Sequence, residues 1–278
     1  MSNITNESVM SLREKTGAGL IDCKRALAET SGDMDEAVSI LRKKGVASAA
    51  KKAGREAGEG IIANAISEDR KNGILVEINC ETDFVAKNED FVHFSNEVAQ
   101  ILLADPQANL ETKRAEQVGK IGENIKISRS QAVSIETNGI VESYVHTGAK
   151  VAVMVSLVSS DGQDLGSNNQ LISLAKDICM HIAATSPVCV SRDDRSEDLV
   201  SKEKDIALAQ AEGKPPQAVE KIVAGKLEKY FSTSCLLEQP FVKDPDSSVL
   251  NLLSNISSEL GSDIKVGTFL RFQVGEEN

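Results

Sequence analysis

The chain has 278 residues, of which 41% are hydrophobic, and a formal net charge of −11. Its length favours two domains, and its composition is ordinary for a chain that buries a core. The acidic balance argues against nucleic acid as the main partner, because phosphate binding needs a basic surface. The five cysteines include no Cys-x-x-Cys pair, which argues against a disulfide framework or a zinc site. No apolar run is long enough to cross a bilayer, and the first residues lack the pattern of a secretory signal. We therefore expect a cytoplasmic protein with reduced thiols.

Residues 1–45 predict three short helices, because apolar residues recur in them at helical spacing between glycine breaks. Asp33 is a good N-cap for the third helix, with Glu36 three residues later as in a capping box. We expect this helix to end at Gly45. So small a unit has a thin core and is typical of a docking module, the alternative being a structural appendage.

Residues 46–58 are rich in alanine, glycine and charge, which predicts a linker or a weak, solvated helix. A basic cluster overlaps this segment. It could touch RNA, but such a run is more often the charged end of a helix followed by a solvated linker. The cluster consists of Arg42, Lys43, Lys44, Lys51, Lys52 and Arg55.

An internal repeat follows, with a first copy in residues 59–138 and a second in residues 139–278. Each copy contains two stretches with the alternation of strands and then a stretch with the spacing of a helix. The stretches are residues 60–66, 74–80 and 91–102 in the first copy and residues 139–146, 151–157 and 171–182 in the second. The repeat predicts an α+β core of two hairpin-plus-helix halves packed side by side.

The second copy contains an insertion at about residues 190–232. Ser196 is a suitable N-cap for a charged helix, and residues 213–216, which include two prolines, separate it from a second helix. Two helices with few apolar positions and a short loop predict an antiparallel helical hairpin that protrudes as an arm. A short helix and a closing strand at residues 266–274 complete the copy.

The connection between strand and helix differs most between the two copies. In the first copy Asn88 is expected to cap the helix, so residues 82–85 form a turn in which Asp83 precedes Phe84. In the second copy the corresponding loop begins at residues 159–162 and has no such pair. Phe84 either plugs the local core or is offered to a partner, and the contrast between the copies favours the partner, since folding alone does not require the pair.

The sequence contains few residue patterns that are typical of catalysis or of metal or cofactor binding. The three histidines, His93, His146 and His181, have no further ligand at metal spacing, and there is no phosphate-binding glycine loop or nucleophile motif. We expect no metal, no cofactor, no catalytic residue and no enzyme activity. His146 lies at the end of a predicted strand and is either a core histidine or a contact residue.

Six segments resemble, in order, those of the bacterial elongation factor Ts family. They are LREKTGAGLIDCK at residues 12–24, ETDFVAKN at 81–88, IGENI at 121–125, HIAA at 181–184, QPFV at 239–242 and RFQVG at 271–275. Since they span nearly the whole chain, we identify it as a member of that family.

The resemblance implies a ubiquitin-associated-like N-terminal domain and a two-part core with a coiled-coil arm. It implies a guanine-nucleotide exchange factor for elongation factor Tu that binds the GDP-bound and nucleotide-free partner and is released by GTP. No contact with nucleic acid or membrane is expected. The alternative is a ribosome- or RNA-associated adaptor.

The resemblance also assigns roles to residues. It implies that Asp83 and Phe84 enter the partner beside its magnesium and phosphate site and displace the magnesium. It implies that the flanking residues Thr82, Val85, Ala86 and Lys87 position the pair. Further contacts are implied for Ile121, Gly122, Glu123, Asn124 and His146, so that His146 is a contact residue under this interpretation.

Overall fold

A computed structural model describes residues 4–136, 138–159 and 165–276. Most of the predicted loop at residues 159–162 lies outside these described residues. Within the described ranges, no helix combines the length and the hydropathy that a membrane crossing requires.

Three helices form the N-terminal unit: α1 (Asn6–Thr16), α2 (Leu20–Glu29) and α3 (Met34–Lys52). Their shared core contains Leu12, Cys23 and Leu27, which are fully buried. The Asp33 carboxylate caps α3 by accepting a hydrogen bond of 2.8 Å from the Glu36 N–H, as predicted.

The prediction that α3 ends at Gly45 is wrong, since the helix continues to Lys52 and includes the first part of the expected linker. Gly45 is buried where α3 crosses α6 (Glu111–Ile121). A Cβ atom on Gly45 would lie 3.4 Å from the Ala115 carbonyl oxygen, and one on Gly119 would lie 3.1 Å from the Gly45 Cα. The glycine thus serves close helix packing and does not stop the helix. The proposed domain boundaries stay predictions.

The first half is an antiparallel sheet covered by helices. Its strands β1 (Glu59–Ile66), β2 (Asn72–Cys80) and β3 (Lys126–Ser134) lie in the order β1–β2–β3. The one-turn helix α4 (Asp83–Ala86) follows β2, and α5 (Glu89–Ala104) begins after Asn88, whose side chain caps it as predicted. The buried side chains of Val76 and Ile78 on β2 share a core with Phe91 and Val98 of α5.

The second half repeats this arrangement. Strands β4 (Asn138–Val145), β5 (Val151–Ser159) and β8 (Ile264–Gln273) form an antiparallel sheet in the order β4–β5–β8. Helices α7 (Asn169–Thr185) and α10 (Val249–Leu260) pack on it, with Val155, Leu171 and Ile178 in the common core. A short hairpin of β6 (Pro240–Phe241) and β7 (Asp244–Ser248) precedes α10. Mixed helices and antiparallel sheets agree with the predicted α+β class.

The two sheets face each other, so the central strands are buried on both sides. The buried apolar residues between the sheets are Ile62, Leu75, Val133, Val141, Ala152, Met154 and Phe272. The edges are joined by two equivalent hydrogen bonds of 2.7 Å. The Ile62 N–H donates to the Ala149 carbonyl, and the Val141 N–H donates to the Arg70 carbonyl. The halves therefore form one continuous body.

The insertion contains α8 (Glu197–Gln210) and α9 (Pro216–Ser234), which pack against each other. At the base, the chain entering and leaving the insertion pairs at Cys189 and Cys235. The Arg192 guanidinium bridges Glu228 and Glu238 there, at 2.5 Å from each. Two helices are thus confirmed, while the coiled-coil character of the arm stays a prediction.

Candidate functional site

The Asp-Phe turn, defined as residues 82–87, is a single helical turn between β2 and α5. Thr82 begins it as an N-cap, because its hydroxyl oxygen accepts a hydrogen bond of 3.3 Å from the Val85 N–H. Val85 is half-buried against the first core, and Ala86 is buried. Because this face points inward, the neighbouring positions 83, 84 and 87 face outward.

Phe84 is 81% exposed, more than any other large apolar side chain among the described residues. The interpretation of Phe84 as a core plug is therefore wrong. An isolated exposed apolar side chain is common on proteins. A whole phenylalanine ring on a one-turn helix with an anchored inner face is an unusual arrangement that suits a protrusion entering a partner.

Asp83 and Lys87 form an ion pair along the outer face of the turn, with 2.8 Å between the carboxylate and the ammonium. The hydrogen bond from Lys87 and its charge lower the pKa of Asp83, and Lys150 adds a smaller effect in the same direction. The same pairing raises the pKa of Lys87. Asp83 is therefore a carboxylate at neutral pH, and the pair is open to solvent, where such bridges contribute little to stability.

Glu123 holds the beginning of the turn. Helix α6 ends at Gly122, whose φ of 87° reverses the chain and brings Glu123 opposite the end of β2. One oxygen of the Glu123 carboxylate accepts hydrogen bonds of 3.0 Å from the N–H groups of Glu81 and Thr82. The other oxygen accepts a 2.7 Å bond from the Thr82 hydroxyl.

Glu81 makes the reverse connection. Its carboxylate accepts a 2.6 Å hydrogen bond from the Asn124 N–H and lies 3.3 Å from the Arg55 guanidinium. These partners, first the Asn124 N–H and then Arg55, lower the pKa of Glu81. The Asn124 side chain is fully buried and donates to the Arg55 carbonyl at 2.8 Å. The segments around residues 82 and 123 thus form one structural unit. Their hydrogen bonds could not be predicted from the sequence, because the two segments lie far apart in it.

His146 is exposed in the turn between β4 and β5, so the core-histidine interpretation is wrong. The Tyr144 hydroxyl lies 3.0 Å from its Nδ1 atom. The same turn approaches the first half, since the Ala149 carbonyl accepts from β1 and Lys150 pairs with Glu59. The structure therefore brings the turn of His146 to β1, the edge strand of the first sheet, whose first residue Glu59 pairs with Cys80 at the end of β2.

A second apolar surface lies at the start of α2, where Leu20 is 48% and Ile21 is 74% exposed. Periodicity alone places Leu20 on the inner face of this helix and gives no reason to single out Ile21. An isoleucine next to an apolar position at a helix start is the only signal that could have revealed the surface.

The described residues offer little for covalent chemistry. They contain no group of three or more His, Cys, Asp or Glu side chains that could hold a metal ion. All five cysteines are buried free thiols, and burial raises the pKa of Cys80 to about 12. Such a thiol is a packed apolar group and a poor nucleophile.

Comparison with known proteins supports the family resemblance. A family model described as Elongation factor TS matches residues 81–276. The elongation factor Ts of Clostridium perfringens is 46% identical, over 98% of this chain and 93% of its own length. The chain belongs to the elongation factor Ts family. Family members from Hydrogenovibrio crunogenus and Halothermothrix orenii are 44% and 43% identical, each over 98% of this chain and at least 92% of its own length. Membership in the elongation factor Ts family gives the chain a role in translation elongation.

Proposed function

We propose that this protein is the guanine-nucleotide exchange factor of elongation factor Tu. It binds the GDP-bound partner, inserts Asp83 and Phe84 beside the magnesium and phosphate site, and accelerates the release of GDP. The observation that supports this most strongly is the exposure of Phe84, at 81%, on a turn whose inner face is anchored.

Insertion of Phe84 into an apolar pocket of the partner would displace the helix that lines it. Full burial of a phenylalanine stabilises a complex by roughly 1.5–3 kcal/mol. That offsets only part of the cost of disturbing a magnesium and diphosphate site, so a broader interface must supply the rest. The exposed Leu20 and Ile21, the α6 end at Ile121 and Gly122, and His146 are the surfaces we propose for it.

The exchange reaction needs no covalent step by this protein. Asp83 is ionised and would repel the diphosphate or compete for its cation, while Phe84 supplies the apolar contact. Coupling between two ligands is reciprocal, so a protein that weakens nucleotide binding is itself released when nucleotide binds. Entry of GTP would therefore complete the cycle.

The test is a nucleotide-release assay. Elongation factor Tu loaded with a fluorescent GDP analogue is mixed with this protein and excess unlabelled GDP. We expect wild type to accelerate the loss of signal and Phe84→Ala to slow exchange by roughly 10- to 100-fold at limiting concentration, the loss of one buried phenylalanine.

Val188→Ala is the matched control, since this side chain is also apolar and 64% exposed but lies at the base of the arm. It should exchange at the wild-type rate. Because both residues are exposed, both variants should unfold at the wild-type urea concentration. Wild-type exchange by Phe84→Ala would refute the insertion.

The competing interpretation is an RNA- or ribosome-associated adaptor. It would use the N-terminal helical unit and the arm. The basic cluster would add little to RNA binding, because three of its six cations are paired with acids, Arg42 with Glu116, Lys44 with Asp22 and Arg55 with Glu81. An adaptor would leave GDP release unchanged and would bind in a way that weakens steeply with salt. Those two results together would refute the exchange proposal and support the adaptor.

A further inference from the structure

The carboxylate latch is the reciprocal arrangement of Glu81 and Glu123 around the Asp-Phe turn. Glu123 accepts three hydrogen bonds from Glu81 and Thr82, while Glu81 accepts one from the Asn124 N–H. The Glu123 carboxylate is thus directed into the protein. The sequence resemblance instead implies that Glu123 contacts the partner.

The turn needs such support. Helix α4 has four residues, and forming a first helical turn costs more backbone entropy than its few hydrogen bonds return. The N–H groups at its start have no partner within so short a helix. Thr82 supplies one of those partners, since its hydroxyl oxygen accepts from the Val85 N–H. Glu123 in turn fixes Thr82, because its carboxylate accepts charge-assisted bonds from the Glu81 and Thr82 N–H groups, which precede the helix, and from the Thr82 hydroxyl.

From this geometry we infer that Glu123 is a positioning residue that holds Phe84 outward before the partner arrives. The inference rests on the proposed function, since it names how the same turn is kept ready. Without Glu123 the turn visits other conformations, and the apparent affinity falls by the fraction that remains competent.

The first test is independent of the partner. Hydrogen exchange measured by NMR on the free protein should show that Glu123→Ala accelerates exchange of the Glu81 and Thr82 amide hydrogens, because alanine offers no acceptor oxygen. Amides in the core strand β2, such as that of Val76, should exchange as in wild type. Unchanged exchange at Glu81 and Thr82 would overturn the latch.

The second test is a double-mutant cycle on binding to nucleotide-free elongation factor Tu, measured by titration calorimetry. Glu123→Ala should weaken binding about tenfold in the wild-type background, the effect of losing bonds to a charged group. In the Phe84→Ala background it should weaken binding less than twofold, because the side chain that Glu123 positions is gone.

Equal weakening in both backgrounds would mean that Glu123 contacts the partner itself, and no weakening in either would mean that the turn needs no support. Both results overturn the inference. Glu111→Ala, which removes an exposed carboxylate on α6 that pairs with Arg114, is the matched control and should bind as wild type. If wild type fails to bind, the proposed function fails, while the amide measurement still tests the latch.

Discussion

His181 illustrates how one buried side chain can give the fold a pH dependence. The imidazole is fully buried, and its Nδ1 atom accepts the Val242 N–H at 3.2 Å. The proton must therefore lie on Nε2, which donates to the Gln239 side-chain oxygen at 2.9 Å. A second proton would break the bond to Val242, and burial lowers the pKa of His181 below its ordinary 6.5.

The sign of the effect follows from that shift. Below about pH 6.5 the unfolded chain takes up the proton more readily than the folded chain, so the contribution of His181 to stability is full above this pH and is lost as the pH falls. We expect the urea midpoint of wild type to fall between pH 7.5 and 5.5 by more than that of His181→Gln. His93→Gln, at an exposed histidine of α5, should fall as much as wild type. Equal falls in all three proteins would contradict the assignment.

The sequence predicted the Asp-Phe turn but not the contacts that support it. The alternation of β2 and the cap at Asn88 were enough to predict a connection at residues 82–85. The local pattern left the direction of Phe84 open, because one helical turn is too short to show an apolar face, and only the contrast between the two copies favoured exposure. Glu123 lies 41 residues from Thr82 in sequence, and no local pattern predicts a hydrogen bond across that distance.

At the scale of elements, two glycines occupy equivalent positions at the starts of β1 and β4. Gly60 has a φ of 150° and Gly139 a φ of 144°. A Cβ atom on Gly60 would lie 2.2 Å from the Ile78 carbonyl oxygen, and one on Gly139 would lie 2.1 Å from the Leu157 carbonyl oxygen. Both glycines let a strand approach its neighbour more closely than a side chain permits.

We predict that Gly60→Ala and Gly139→Ala each lower the free energy of unfolding by about 3 kcal/mol, from backbone strain and the steric clash combined. Gly225→Ala is the control, because Gly225 lies in α9 with open space around its Cα atom. Alanine there should stabilise the protein by up to about 1 kcal/mol. Urea titrations compare the three, and neutral substitutions at Gly60 and Gly139 would mean that the strands can move apart freely.

The wrongly predicted end of α3 and the absence of α6 from the sequence prediction have one cause. Helix α6 was not predicted, because its buried face contains only Ala115, Gln117 and Val118 and because Gly119 interrupts the helical sequence pattern. Without α6 there was no reason for α3 to continue past Gly45, since a glycine in an exposed helix is unfavourable. Gly45 and Gly119 are both explained by the close contact between α3 and α6. Neither helix could therefore be predicted correctly from its own sequence alone.

At the scale of the whole molecule, the proposed exchange predicts a thermodynamic relation. The factor by which this protein weakens the binding of GDP to elongation factor Tu must equal the factor by which GDP weakens the binding of this protein. Titration calorimetry with GDP-bound and nucleotide-free Tu measures the second factor, and nucleotide titrations with and without this protein measure the first. Binding of this protein that is indifferent to GDP would exclude exchange by this route.

The uninterrupted helix α3 also fixes a distance within the molecule. Its 19 residues span about 28 Å at 1.5 Å per residue, from the N-terminal unit to the segment where Arg55 meets Glu81. The apolar surface at Ile21 and the Asp-Phe turn are therefore presented at a fixed separation. Once one surface is engaged, the other acts at a high effective concentration, provided that the partner's two sites have the same spacing. If both surfaces bind elongation factor Tu as proposed, a protein that offers only one of the two sites, or both at another spacing, would gain nothing from the second contact. The spacing would then help to select the partner.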